Sequence, residues 1–176
     1  MLIKTIFAGF GGQGVLSMGL TLAQAAMFDG KNVTYLPSYG VEVRGGTAYC
    51  TVAISDEAIA SPVASSPEFV IAMNQPSLDR FQNSIASGGL LFVNSSLIEA
   101  EVSRGDIEVV EVAASGIAEE LGSAKSANMV MLGALIKKTN IVSIYTLIEG
   151  LKDTLKTKRK LIAVNKKALM AGYDLF

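Results

Sequence analysis

The sequence predicts an α/β fold, a three-layer domain with a mostly parallel sheet and a helical C-terminal third. Three observations carry this. Short apolar runs alternate with helix-period patterns over the first two thirds of the chain. A glycine-rich stretch, Gly9-Phe10-Gly11-Gly12-Gln13-Gly14, joins the first apolar run to the first helical pattern. After residue 113 strand signals fade and only helical patterns remain.

Each element has its own warrant. Ile3–Ala8 is a short buried-type apolar run and reads as a strand. Val15, Met18, Leu22 and Ala26 recur near helical spacing, so Val15–Phe28 reads as a helix, closed by Asp29-Gly30. Asn32–Leu36 is a second strand. Pro37–Gly46 carries Pro, Ser and glycines and reads as a loop. Thr47–Ser55 has period two: Ala48, Cys50, Val52 and Ile54 on one face, Tyr49, Thr51 and Ala53 on the other. Ser61–Pro67 is a further loop and Phe69–Met73 a strand. Pro76 suits the first turn of a helix running to about Ile85, which Gly88-Gly89 stop. Leu90–Asn94 and Ile107–Val112 are two more strands. Ala114–Leu121, Ala127–Lys137, Ser143–Leu151 and Leu161–Ala171 read as helices. No repeat or linker divides residues 1–176, so one domain is expected.

Composition excludes several function classes. Half of the 176 residues are apolar, 18% are charged and the formal net charge is −1, which excludes a disordered chain. The single cysteine, Cys50, and the absence of histidine exclude an internal disulfide. They equally exclude a Cys/His zinc site, an iron–sulfur cluster held by this chain alone, and any His-based triad. Thr5–Phe28 carries no charge, but its five glycines and its polar residues argue against a membrane span. No signal-peptide pattern is read, and a lone thiol suits a cytoplasmic location.

Charge is unevenly placed. Residues 1–136 carry a net −7 and residues 137–176 a net +6, with the densest run at Lys156-Thr157-Lys158-Arg159-Lys160. The run is either a solvated helix end or a contact for an anion or an acidic partner face. It is too short and too poor in aromatics to argue for nucleic acid.

Two motifs carry candidate chemistry. Gly9, Gly11 and Gly14 form G-x-G-x-x-G after a strand and before a helix, the Rossmann-like context for a phosphate turn. The helix offers unpaired N–H groups and the positive end of its dipole to an anion. A ribose-binding acid is missing at the end of the second strand, Tyr35-Leu36-Pro37-Ser38. The motif alone therefore fits either an anion loop or a tight structural turn. The second motif is Ser38-Tyr39-Gly40-Val41-Glu42-Val43-Arg44-Gly45-Gly46-Thr47. In an extended stretch Glu42 and Arg44 share a side and can pair or grip one target. Its alternative is a glycine-rich connection with a surface ion pair. Both motifs should meet in one crevice at the carboxyl edge of the sheet. Walker A and nucleophile-elbow patterns are absent. Asn74-Gln75-Pro76-Ser77 and Asn94-Ser95-Ser96 follow strands at that edge and fit cap or turn roles, with donation to a ligand as the alternative.

Taken in order, these motifs resemble the γ subunit of the 2-oxoacid:ferredoxin oxidoreductases. Leu36-Pro37-Ser38-Tyr39-Gly40 with Glu42 and Arg44-Gly45-Gly46-Thr47, Asn74-Gln75-Pro76-Ser77-Leu78 and Asn128-x-x-x-Leu132-Gly133-Ala134 all match over nearly the whole chain. One departure is Val41, where the family usually has Pro. The resemblance implies a complex that decarboxylates a 2-oxoacid on thiamine diphosphate. It would pass electrons through iron–sulfur clusters to ferredoxin and form an acyl-coenzyme A. Those cofactors would sit in partner α, β and ferredoxin-like δ subunits, with no catalysis by this chain alone.

The resemblance implies that the two loops form an edge for coenzyme A or for the α and β partners, or serve subunit docking only. The implied binding residues are Gly9, Gly11, Gly12, Gln13, Gly14, Ser38, Tyr39, Gly40, Glu42, Arg44, Gly45 and Gly46. No catalytic or metal-binding residue, membrane or nucleic acid is expected. The wording of the second motif looks most like the 2-oxoglutarate type, then the branched-chain type, then pyruvate. A free-standing nucleotide-binding domain is the alternative from another class. Low charge further suggests a surface partly meant for burial, through which the isolated chain could self-associate.

Overall fold

In a computed structural model of the chain, residues 1–39, 47–99, 102 and 104–176 are described. Six strands form one sheet: β1 (Leu2–Phe10), β2 (Asn32–Tyr39), β3 (Thr47–Ser55), β4 (Phe69–Ala72), β5 (Leu90–Asn94) and β6 (Glu108–Val112). The order is β2-β3-β1-β4-β5-β6. β4, β5 and β6 run parallel to β1. β3 is antiparallel to both its neighbours, β1 and β2, so it is the one reversed strand in a mostly parallel sheet.

The period-two reading of β3 holds. Ala48, Cys50, Val52 and Ile54 enter the larger core, and Tyr49 packs on the smaller one. The larger core lies between the first sheet face and α1 (Val15–Phe28), α3 (Ala114–Glu120), α4 (Ala127–Thr139), α5 (Ile144–Thr154) and α6 (Ile162–Tyr173). The smaller core includes Leu78 and Phe81 of α2 (Gln75–Phe81), packed on Ile6, Ala8, Val70 and Ala72. These are the expected three layers, with the C-terminal helices stacked on one face. The helix expected to reach Ile85 instead tightens into a 3-10 turn at Gln82–Ser84. Strand β2 runs on to Tyr39, because Pro37, Ser38 and Tyr39 still find partners in Cys50, Tyr49 and Ala48.

Helix α4 is buried on every side from Ala127 to Ile136, which explains its all-round apolar sequence. Backbones approach closely where glycine removes the side chain. A Cβ on Gly133 of α4 would overlap the Leu169 carbonyl, and one on Gly172 of α6 would overlap that of Val130. Among the described residues, no helix is long and apolar enough to cross a membrane.

Candidate functional site

The carboxyl ends of β1 and β2 reach the same edge. Phe10 pairs with Thr47 and Tyr39 with Ala48, so the glycine turn lies beside both ends of the second motif. Ser38 and the Tyr39 backbone take their expected place there. Gly40, Glu42, Arg44, Gly45 and Gly46 lie outside the described residues.

The turn is built from glycine geometry. Gly12 and Gly14 have φ of 100° and 73°, which L side chains rarely adopt. Gly9 permits close packing, since a Cβ there would stand 2.9 Å from Val15 Cγ1 and 3.1 Å from Met73 Cβ. Gly14 is the N-cap of α1 and supplies no side-chain cap. The first-turn amides and the positive dipole end therefore face the carboxyl edge without a carboxylate of their own.

Gln13 braces this turn. Its Oε1 accepts from Phe10 N (2.7 Å) and Asn74 Nδ2 (2.8 Å), and its Nε2 donates to Met73 O (3.3 Å). Gln13, expected at a ligand, spends its carboxamide oxygen and one amide N–H on these internal bonds and so shapes the loop. Asn74 also caps α2, its Oδ1 accepting from Ser77 N at 3.0 Å. Asn94 continues the polar ladder, donating to Ser115 Oγ at 2.9 Å and accepting from Ser115 N at 3.3 Å. Buried Asn74 and Asn94, at the ends of β4 and β5, thus satisfy backbone groups at this edge and tie the strands to α2, α3 and, through Gln13, the glycine turn.

Beside Gly14 opens a cavity of about 530 Å³ at the start of α1. Ser17, Lys125, Asn128, Lys158 and Asn165 line it. Asn128 locks α4 to the turn by donating to the Gly14 carbonyl at 3.1 Å. Neither Lys125 nor Lys158 has a carboxylate partner among the described residues. Two unneutralised ammonium groups beside a helix N-terminus suit a polyanion such as a diphosphate. Sequence reasoning missed Lys125 and Asn165, which carry no local signal and reach the site only through the fold. Lys158 was visible as part of the basic run.

Cys50 is fully buried, its Sγ donates to Val15 O at 3.4 Å, and burial pushes the thiol up to about 12. Among the described residues no group of His, Cys, Asp or Glu could hold a metal ion. A single buried thiol does not fit an iron–sulfur cluster.

The chain matches the pyruvate ferredoxin/flavodoxin oxidoreductase family over residues 4–175. It belongs to this family. Within the family it is 43% identical over 173 residues to the ketoisovalerate oxidoreductase subunit VorA of Methanothermobacter thermautotrophicus, covering 98% of this chain and 36% of VorA. It is 37% identical over 177 residues to the 2-oxoglutarate synthase subunit KorC of the same organism, covering 96% of this chain and 92% of KorC. The chain therefore spans about a third of VorA and nearly all of KorC. The γ subunit of a keto/oxoacid ferredoxin oxidoreductase from Geobacter sulfurreducens superposes with a TM-score of 0.84 at 28% identity, covering 98% and 96% of the two chains. A 2-oxoglutarate:ferredoxin oxidoreductase from Magnetococcus marinus, with 2-oxoglutarate, coenzyme A and succinyl-CoA bound, superposes with a TM-score of 0.90 at 27% identity. That match covers 99% of this chain and 31% of the other. This oxidoreductase family therefore shares the sheet and helix arrangement described above.

Proposed function

We propose that this chain is the γ subunit of a cytoplasmic, multisubunit 2-oxoacid:ferredoxin oxidoreductase, inactive alone. One observation carries the reading: residues 4–175 match the family, and the same stretch superposes on a solved γ subunit with a TM-score of 0.84 at 28% identity. The donor set supports it from the opposite side. One buried thiol and no histidine give this chain no cluster ligand set; by the family resemblance, thiamine diphosphate and iron–sulfur groups would sit in α, β and δ partners, with ferredoxin the acceptor of the assembled complex.

Coenzyme A is the ligand this chain's own residues fit. The backbone of Gly11, Gly12 and Gly14, with Lys125 and Lys158 across the cavity, would hold its phosphates. Ser38, Tyr39, Gly40, Glu42, Arg44, Gly45 and Gly46 would complete that edge, Glu42 orienting Arg44. Coenzyme A supplies the acyl-accepting thiol when bound; this chain positions and charge-compensates it.

The wording of the second motif and the 37–38% identity to KorC relatives support 2-oxoglutarate as the substrate. A branched-chain 2-oxoacid is the second reading, favoured by the 43% identity to VorA. The test is turnover by the assembled complex with 2-oxoglutarate, 3-methyl-2-oxobutanoate and pyruvate, each with coenzyme A and ferredoxin. Fastest kcat/KM on 2-oxoglutarate is expected. Preference for the branched acid selects the second reading. 2-Oxoacid oxidation by the purified chain alone overturns the subunit reading.

A further inference from the structure

Between α5 and α6 the chain turns through Lys156-Thr157-Lys158-Arg159-Lys160-Leu161, every residue of it exposed. Lys156 has Asp153 at 3.5 Å. Lys158, Arg159 and Lys160 have no carboxylate partner among the described residues. The six residues line an open groove of about 540 Å³, where Leu161 leaves 44% of its surface in water. Like charges packed this densely repel each other in the free chain. They do so in a protein that is otherwise sparing with charge and acidic over its first 136 residues.

A small anion would neutralise the cations but leave Leu161 wet. A nucleic acid would meet no stacking ring in the groove and an acidic body beyond it. A protein surface with carboxylates around an apolar side chain satisfies both halves, in the manner of an interface with an apolar centre and a polar rim. We infer that the α5–α6 turn is the docking surface for an acidic, apolar-centred segment on a partner chain of the assembly. The inference rests on the reading of this chain as a subunit. Its place gives it a consequence. Lys158 and Leu161 also line the cavity beside Gly14, so the docked segment would form the outer wall of that cavity.

The test uses the assembled complex. Carbodiimide coupling should join Lys156 or Lys160, which do not line the cavity beside Gly14, to an Asp or Glu of another subunit, read by mass spectrometry of the cross-linked peptides. The double reversal R159E/K160E should weaken assembly at least tenfold at about 0.1 M salt. The difference from wild type should shrink near 1 M salt, where screening acts within about 3 Å. Both positions are exposed, and circular dichroism checks the fold of the variant; the coupling readout does not depend on it. Unchanged assembly of the reversal, with no intersubunit coupling in the run, overturns the inference alone. A raised KM for coenzyme A with unchanged assembly also overturns it, and assigns the run to the anion. Failure of the wild-type chain to assemble with any thiamine- or cluster-binding subunit overturns both the inference and the subunit reading.

Discussion

Asn128 Nδ2 donates to the carbonyl of Gly14 at 3.1 Å, across 114 positions of sequence. This bond fastens the buried helix α4 to the turn that opens α1. A Cβ on Gly14 would overlap that same amide. One residue therefore needs both a left-handed backbone and an absent side chain.

Gly14→Ala should lower unfolding stability by about 2 kcal/mol, from left-handed strain of roughly 1–2 kcal/mol plus the overlap. Urea unfolding of the purified chain measures it. Asn128→Ala in the same chain should relieve the overlap but not the strain, so the two substitutions should couple in a double-mutant cycle. Simple additivity would show that Asn128 does not crowd Gly14.

Gly133→Ala and Gly172→Ala run against helix propensity, which favours Ala over Gly by about 1 kcal/mol. Here the added methyl meets backbone carbonyls that cannot rotate away. Each should cost about 3 kcal/mol, read as a lower denaturation midpoint. A stabilised Gly133→Ala would refute the close α4–α6 approach.

Cys50 should resist a thiol reagent in the native chain and react only on unfolding. Its folded value of about 12 stands above the ordinary 9.0 because burial disfavours the thiolate. Above pH 9 the unfolded chain loses this proton first. Stability from this group is thus intact below pH 9 and declines as pH rises toward 12. Cys50→Ala should flatten that decline, measured as unfolding free energy against pH.

K125Q and K158Q should each raise KM for coenzyme A in the assembled enzyme roughly 10- to 100-fold, since a charge-assisted bond contributes about 1.5–3 kcal/mol. kcat at saturating coenzyme A should hold. A fall in kcat with KM unchanged would move these lysines away from phosphate binding.

Most of the fold was legible in local pattern. Val15–Phe28, Thr47–Ser55 and Leu90–Asn94 have the bounds expected of them, because glycines, turn residues and strict periodicity punctuate them. Leu36 hid the true end of β2, since Pro37 reads as a breaker yet tolerates an edge strand. Strand order was not legible, nor was the reversal of β3, because pairing is a long-range property. The tight glycine turn between β1 and α1 was readable in Gly9, Gly11 and Gly14. Its partner Lys125, a lone cation in a short turn, was not.

That reversal of β3 has a further consequence. β2 and β3 are neighbouring antiparallel strands joined by residues 40–46, so they form a hairpin and not a crossover unit. Both feet of the segment, Tyr39 and Thr47, are set by eight consecutive residue pairs below them. Length and sequence can then change between the feet without shifting any other strand. The paired strands thus insulate the rest of the sheet from whatever the segment carries.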